Sequence, residues 1–191
     1  MIFHETGLAG AHLIEIERLE DERGHFARTW SADEFALHGL SPRLAQCSVS
    51  WNRKAGTLRG LHYQRPPHAE SKLVRVTRGR IFDVVVDLRP ASPTRHRWFA
   101  AELDARGGLM MYVPEGFAHG FQTLEDDTEV SYQISVPYKP ESAAGLRWDD
   151  PALAIDWPAA DERVISARDR ALPLIPAHEA GATAGRELEP A

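Results

Sequence analysis

Between Leu44 and Ile134 the chain is a series of short apolar and polar alternations cut by turn signals. Leu73 to Thr77 leads into Arg78-Gly79, Ile81 to Leu88 into Pro90 to Pro93, Trp98 to Leu103 into Arg106 to Gly108, and Leu109 to Val113 into Pro114. Runs of this kind at regular spacing predict an antiparallel sandwich or barrel, and an all-β jelly roll with a few short helices is the architecture expected. Upstream, Ala11 to Glu17, with Leu13, Ile14 and Ile16 among polar residues, predicts a strand that leads to a turn at Asp21-Glu-Arg-Gly24. Ser31 followed by Glu34 reads as a capping box for a short helix whose apolar face is Phe35 and Leu37 and which Gly39 stops. Beyond Ser135 the prolines at 137, 140, 151 and 158 break up regular structure. A single domain over 1–176 is expected, with a tail, 177–191, that is mobile or lies against a partner subunit.

The alternation also says which polar side chains face inward. Lys72 shares a strand face with Val74 and Val76, and Tyr132 shares one with Val130 and Ile134. His62 follows Leu58 and Gly60 on the even face and is expected to point inward with them. Arg59 is three residues from His62, so a regular strand sends the two to opposite faces; Gly60 between them permits a bulge that brings both inward. A histidine, a lysine and a tyrosine on inward faces of one small domain are the means to move protons beside a carbonyl. The histidine base needs a carboxylate on its other ring nitrogen, and Asp83 and Asp169 are both candidates.

Composition narrows the class. The chain has 191 residues, 43% hydrophobic and 26% charged, and a formal net charge of -6, which fits a globular protein and gives no support to a nucleic-acid surface. A local cluster such as Arg75, Arg78, Arg80 and Arg89 remains able to meet a phosphorylated small molecule. No apolar run reaches the length of a signal or membrane segment, and the single cysteine, Cys47, excludes an internal disulfide framework, so a cytoplasmic location is expected. Cys47 itself is read as a small buried residue rather than a nucleophile.

Two spacings carry more information. Gly56, five residues, His62, one residue, Gln64, then Glu70 and Gly79 resembles the first half of a cupin signature, with glutamine where a second histidine is usual. Gly108, five residues, Pro114, one residue, Gly116, two residues, His119 resembles the second half. Three or four convergent donors are needed for a catalytic metal of this kind, and only His62, His119 and one of Glu70 or Gln64 are available. No metal is expected, which leaves His62 free to act as a base.

At these residues the chain resembles the dTDP-4-dehydrorhamnose 3,5-epimerase family of cupin-fold enzymes. The likeness runs from about Ile2 to Pro173. It is carried by Asp21-Glu-Arg-Gly24 with Phe26, Gly56-Thr-Leu-Arg-Gly-Leu-His-Tyr-Gln64 with Pro66-Pro67, and Lys72-Leu-Val-Arg-Val76. Asp83-Val-Val-Val-Asp-Leu-Arg89, Pro114-Glu-Gly-Phe-Ala-His-Gly-Phe121 and Trp148-Asp-Asp-Pro151 with Trp157-Pro158 continue it. The resemblance implies a cofactor-free and metal-free isomerase acting on a nucleotide-diphosphate 4-keto-6-deoxyhexose such as dTDP-4-dehydro-6-deoxy-D-glucose. His62, held by Asp169, would remove the proton next to the C4 ketone, Lys72 would steady the enolate oxygen, and Tyr132 would return a proton from the opposite face. Arg23, Arg59 and Lys72 match positions near the sugar and diphosphate, and Phe26 and Tyr138 match positions that bind the nucleotide. Gln46, His119 and Arg168 complete the implied binding set. The family is dimeric, so a homodimer with no nucleic-acid or membrane partner is implied.

The chain departs from the family pattern at Gln46-Cys47-Ser48, where Gln-Asp-Asn is common, at Arg28, where glutamate is common, and at Gln133, where lysine often follows the tyrosine. These changes leave open the sugar, the base, and whether C3, C5 or both are inverted. A 3,4-ketoisomerase of the same fold also needs base-assisted enolisation and is the nearest alternative. A metal-dependent cupin oxygenase and a non-catalytic sugar-binding cupin are the readings from other classes.

Overall fold

The computed structural model describes residues 1–179. Six antiparallel strands form a first sheet: β1 (Ile2–Glu5), β2 (His12–Glu15), β5 (Gln46–Asn52), β7 (Lys72–Arg78), β10 (Leu109–Val113) and β12 (Thr128–Ile134), in the order β1-β2-β10-β7-β12-β5. The second contains β6 (Thr57–Gln64), β8 (Arg80–Asp87), β9 (Trp98–Asp104), β11 (Phe117–Thr123) and β13 (Ala143–Gly145), in the order β13-β6-β11-β8-β9. A short β14 (Val164–Ile165) runs parallel to β6, and β3 (Leu19–Asp21) and β4 (Gly24–Phe26) make a separate hairpin. The result is the expected β-sandwich of cupin type.

Apolar residues fill three layers rather than one. Val74, Val76, Met111 and Val130 of the first sheet meet Ile81, Val85, Phe99 and Phe121 of the second in the space between them. The outer face of the first sheet, at Ile14, Leu73 and Met110, is covered by Phe35 and Leu40. The outer face of the second, at Leu58, Leu61, Val84, Val86 and Trp98, is covered by Leu146, Leu153, Trp157 and Ile175 from the C-terminal segment. Both faces of β8 are therefore dry, which is why its sequence reads as a nearly continuous apolar run. The Trp98 indole N–H donates to the Leu153 carbonyl at 2.9 Å, and Asp150 accepts from the Ile175 N–H at 2.6 Å, so the covering segment is tied down by polar contacts as well.

The helix forms where the capping signal stands, as α1 (Ala32–Leu37), and the Ser31 side chain accepts from the Glu34 N–H. Two details differ from expectation. Glu34 does not close the capping box; its carboxylate takes the N-terminal ammonium at 2.9 Å and Arg28 at 2.5 Å, charged donors that outcompete one backbone amide. Leu37 faces solvent, and Leu40 completes the apolar face because the chain turns back after Gly39. Past Ser135 the prolines do break up regular structure, yet β13, β14 and a single-turn helix, α2 (Ala167–Arg170), form there. The expected tail lies, beyond Glu179, outside the described residues. Among those described, no helix is long and apolar enough to cross a membrane.

Cys47 is exposed, contrary to the expectation of a buried residue. β5 is an edge strand, and the α1 cover reaches only the other half of that sheet, so Cys47, Val49 and Trp51 all face outward.

Candidate active site

The bulge at Gly60 is present and reorganises β6. Opposite β11, His62 pairs with His119 and Arg59 with Phe121, so three steps on β6 match two on its neighbour. Gly60 has a φ of +126°, and a Cβ there would lie 2.6 Å from the Cα of Gly120. Only glycine satisfies both conditions. Arg59 and His62 consequently share the inner face, while Leu58 and Leu61 pack on the outer face. This corrects the expectation that Leu58 accompanies His62: the extra residue reverses the alternation between them.

A cavity of about 360 Å³ lies between the sheets. The second sheet contributes Arg59, His62, His119 and Phe121; the first contributes Gln46, Ser50, Lys72 and Tyr132; Tyr138 and Arg168 stand at its margin. His62 Nε2 is 2.8 Å from Asp169 Oδ1, whose second oxygen accepts from the Gly60 N–H at 3.3 Å. Asp169 is buried and is held by the cap of α2, where the Ser166 hydroxyl accepts its N–H at 3.0 Å. Ser166 and Asp169, three apart, are the sequence signal for that helix. With the Nε2 proton given to the carboxylate, His62 Nδ1 carries a lone pair toward the cavity. Burial pushes the imidazole below its ordinary range, Asp169 pulls it back up, and Lys72 and His119 push it down. The ring is thus held neutral, the state a base requires.

Tyr132 lines the same cavity as His62 but from the opposite sheet. Burial, and then the charge of Asp83, hold its phenol well above the ordinary range against Arg59 and the hydrogen bond with Ser50, so it stays a proton donor. Lys72 is inward beside Val74, as the alternation requires, and its ammonium pairs with Glu70 at 2.8 Å, both side chains nearly buried. His119 Nε2 is 2.8 Å from Asp83 Oδ1 in full burial. The choice between Asp83 and Asp169 is thereby divided, since each histidine has its own aspartate.

Other candidates are distributed less tightly. Gln46 accepts the Tyr138 N–H at 2.9 Å, which fixes the half-exposed Tyr138 at the mouth. Arg23 and Phe26 lie outside this cavity: Arg23 is tied to Asp21 on the exposed β3–β4 hairpin, and Phe26 is 71% exposed. Of the arginines read as a local basic cluster, none lines the cavity; Arg80 is engaged by Glu102 and Glu125, and Arg89 by Asp87. Ser50 was not among the expected site residues, and a lone serine on an alternating strand carries no distinguishing signal. Gln64, at the position of a usual metal donor, spends its amide on backbone: its oxygen accepts from Lys139 at 2.6 Å and its nitrogen donates to the carbonyls of His68 and Pro137. Among the described residues no three His, Cys, Asp or Glu side chains converge as metal ligands.

A sequence model of the dTDP-4-dehydrorhamnose 3,5-epimerase family matches residues 5–176. The chain belongs to that family. It is therefore an isomerase by descent, in keeping with a pocket that opposes a histidine to a tyrosine. A dTDP-4-dehydrorhamnose 3,5-epimerase of Sinorhizobium fredii is 43% identical over 92% of this chain and 90% of its own length. The crystal structure of the epimerase from Bacillus anthracis, with TDP and pyrophosphate bound, superposes with a TM-score of 0.86 at 40% identity, covering 90% of this chain and 97% of that one. A 3'-monoepimerase from Streptomyces bikiniensis, crystallised with dTDP as a double mutant that replaces one histidine by asparagine and one tyrosine by phenylalanine, gives a TM-score of 0.83 at 31% identity, over 90% and 86% of the two chains.

Proposed function

We propose that the protein inverts C3 and C5 of a nucleotide-diphosphate 4-keto-6-deoxyhexose, with dTDP-4-dehydro-6-deoxy-D-glucose as the substrate. His62 Nδ1 removes the proton from the carbon next to the ketone, and the electron pair of that C–H bond passes to the ketone oxygen. The Lys72 ammonium stabilises the resulting enolate. Tyr132 then donates its phenolic proton to the other face of the carbon as the C=O bond re-forms, and solvent restores both residues. The observation that carries this reading is the opposition of a neutral histidine and a protonated tyrosine across one cavity, from two different sheets. Inversion by two-sided proton transfer requires that arrangement, whereas a purely binding pocket does not.

Arg59 and Arg168 are suited to the diphosphate, and Tyr138 to the base. The exposed Arg23, Phe26 and Leu19 of the β3–β4 hairpin, together with the outward Val49 and Trp51 of β5, support a homodimer in which each hairpin completes the other subunit's site. We place the protein in the cytoplasm, where an exposed unpaired thiol such as Cys47 is stable. The kinship with a 3'-monoepimerase supports a second reading, inversion at C3 alone.

The test is incubation with dTDP-4-dehydro-6-deoxy-D-glucose in deuterium oxide, followed by proton NMR of C3 and C5, with His62→Ala as control. Deuterium at both carbons that is lost in the variant is expected; deuterium at C3 alone selects the second reading; a wild-type protein that exchanges neither carbon refutes both.

A further inference from the structure

β8 carries two carboxyl groups on its inward face: Asp87, at the strand's end, is satisfied by Arg89, Ser92 and Thr94, whereas the other stands in the middle of the core. Ile81 and Val85 lie in the layer between the sheets, and Asp83 stands between them with 0% of its surface exposed. A carboxylate in that position is destabilising unless its lone pairs are used. Oδ1 is 2.8 Å from His119 Nε2, while Oδ2, also buried, has no partner among the described residues. A valine would pack between Ile81 and Val85 without that penalty. Burial pushes the Asp83 carboxyl above its ordinary range while His119 and Lys72 pull it back down, and a buried, half-satisfied acid of this kind is not explained by stability.

Its single hydrogen-bond partner indicates the role. His119 sits beside His62 in the β6–β11 ladder, and the two rings are wired alike, each turning Nε2 to a buried aspartate oxygen at 2.8 Å. The His119 ring lines the cavity and stands edge-on to Tyr132, with centroids 6.3 Å apart. Its Nδ1 has no hydrogen bond to the described residues. An imidazole that gives its Nε2 proton to a carboxylate presents an Nδ1 lone pair, which is an acceptor. Against a lone pair next to the base, a 4-keto sugar can set a polar hydrogen only from a ring hydroxyl, and when His62 acts at C3 the hydroxyl on that same carbon is adjacent to the hydrogen being removed.

We propose that Asp83 is a positioning residue that acts through His119: it holds the ring in the tautomer whose Nδ1 accepts the sugar hydroxyl beside the ketone, and so sets how the reacting carbon meets His62. This rests on the epimerase function proposed above, and the first measurement does not depend on it. In nitrogen-15 NMR of the full chain without substrate, the His119 ring, assigned with His119→Ala, is expected to carry its proton on Nε2. In Asp83→Asn, whose amide can donate to Nε2, the proton is expected to move to Nδ1. A wild-type ring protonated at Nδ1, or a variant with the tautomer unchanged, overturns the proposal whatever the activity of the chain.

The second measurement is kinetic. Asp83→Asn is expected to lower kcat/KM for deuterium incorporation about 10²-fold, the order of loss that follows misplacement of a reacting carbon. In the His119→Ala background the same change is expected to lower it less than about threefold, because no ring is left to position. Equal losses in the two backgrounds overturn the role, since a merely structural aspartate would lower both alike. A 3-deoxy analogue followed at C5 is expected to be nearly indifferent to Asp83→Asn; an undiminished penalty overturns the hydroxyl contact. Failure of the wild type to exchange any 4-keto sugar would instead strike the function proposed above and leave the tautomer measurement standing.

Discussion

Gly60→Ala separates the fold's contribution to the site from the chemistry. Two penalties act at that position. The φ of +126° lies where an L-residue is strained, and the new Cβ would sit 2.6 Å from Gly120 Cα and 2.9 Å from the His119 carbonyl oxygen. Both obstacles are backbone of a central strand held on two sides, so neither can withdraw cheaply. The strain is worth about 2 kcal/mol, and the overpacking about 2 kcal/mol more. For a chain of this size the sum of about 4 kcal/mol corresponds to a fall in Tm of roughly 12 °C. Gly24 supplies the control: it has the same φ of +126° but nothing within 4 Å of its Cβ, so Gly24→Ala carries the strain alone. Thermal and urea unfolding of the two variants are expected to differ by about 2 kcal/mol. The surviving folded Gly60→Ala should also lose activity, because relaxing the clash means shifting the bulge that turns Arg59 and His62 to one face. A Gly60→Ala protein as stable as Gly24→Ala, or fully active per folded molecule, would refute the assignment of the bulge.

Three further outcomes follow from the same geometry. Asp169→Asn removes the upward pull on His62, so the acid limb of kcat/KM should move to lower pH while the maximum falls about 10²-fold; Lys72→Met removes a charge that pushes His62 down, and the limb should move to higher pH. A pH profile of each variant checks the opposite signs. Tyr132→Phe removes the proton donor but not the base, so NMR in deuterium oxide should show exchange with retention at the reacting carbon and little inverted product. Asp87 is buried and paired with a partly exposed Arg89: burial alone would raise its carboxyl, but Arg89, Ser92 and Thr94 overcome this and hold it below its ordinary range. A depressed folded value contributes stability above the unfolded one and loses it as pH falls through the folded one, so urea titrations should find Asp87→Asn less stable than wild type at pH 7 and the difference shrinking as the solution is acidified below the ordinary carboxylate range.

Strand alternation made much of the site legible. Lys72 between inward neighbours of β7 and Tyr132 between those of β12 are placed by period two alone, because those strands are regular where it matters. The face shared by Arg59 and His62 was legible only as a possibility, since a bulge depends on what stands opposite, here Gly120. Leu58 was misassigned for that reason. The pairing of His62 with Asp169 is a contact between residues 107 apart in sequence, closed by a segment whose prolines hide its short helix. Periodicity says nothing of such closures. Cys47 was misread because burial on an edge strand depends on what covers the sheet, and one strand's sequence does not contain its cover.

Gln64 shows how a site can differ from others on its fold without a change in scaffold. It occupies the place where the cupin spacing puts a metal donor, yet its side chain is 3% exposed and turned to three backbone groups. Those groups belong to His68, Pro137 and Lys139, which bracket Tyr138 and the approach to Lys72. A histidine in that place has two ring nitrogens and could not at once accept from Lys139 and donate to two carbonyls. Substituting it would therefore release the 137–139 segment and with it the aromatic side chain at the mouth, even if a donor were gained. The same position thus binds loop to barrel here, and the proton chemistry falls to residues whose partners are carboxylates: His62 with Asp169, and behind it His119 with Asp83.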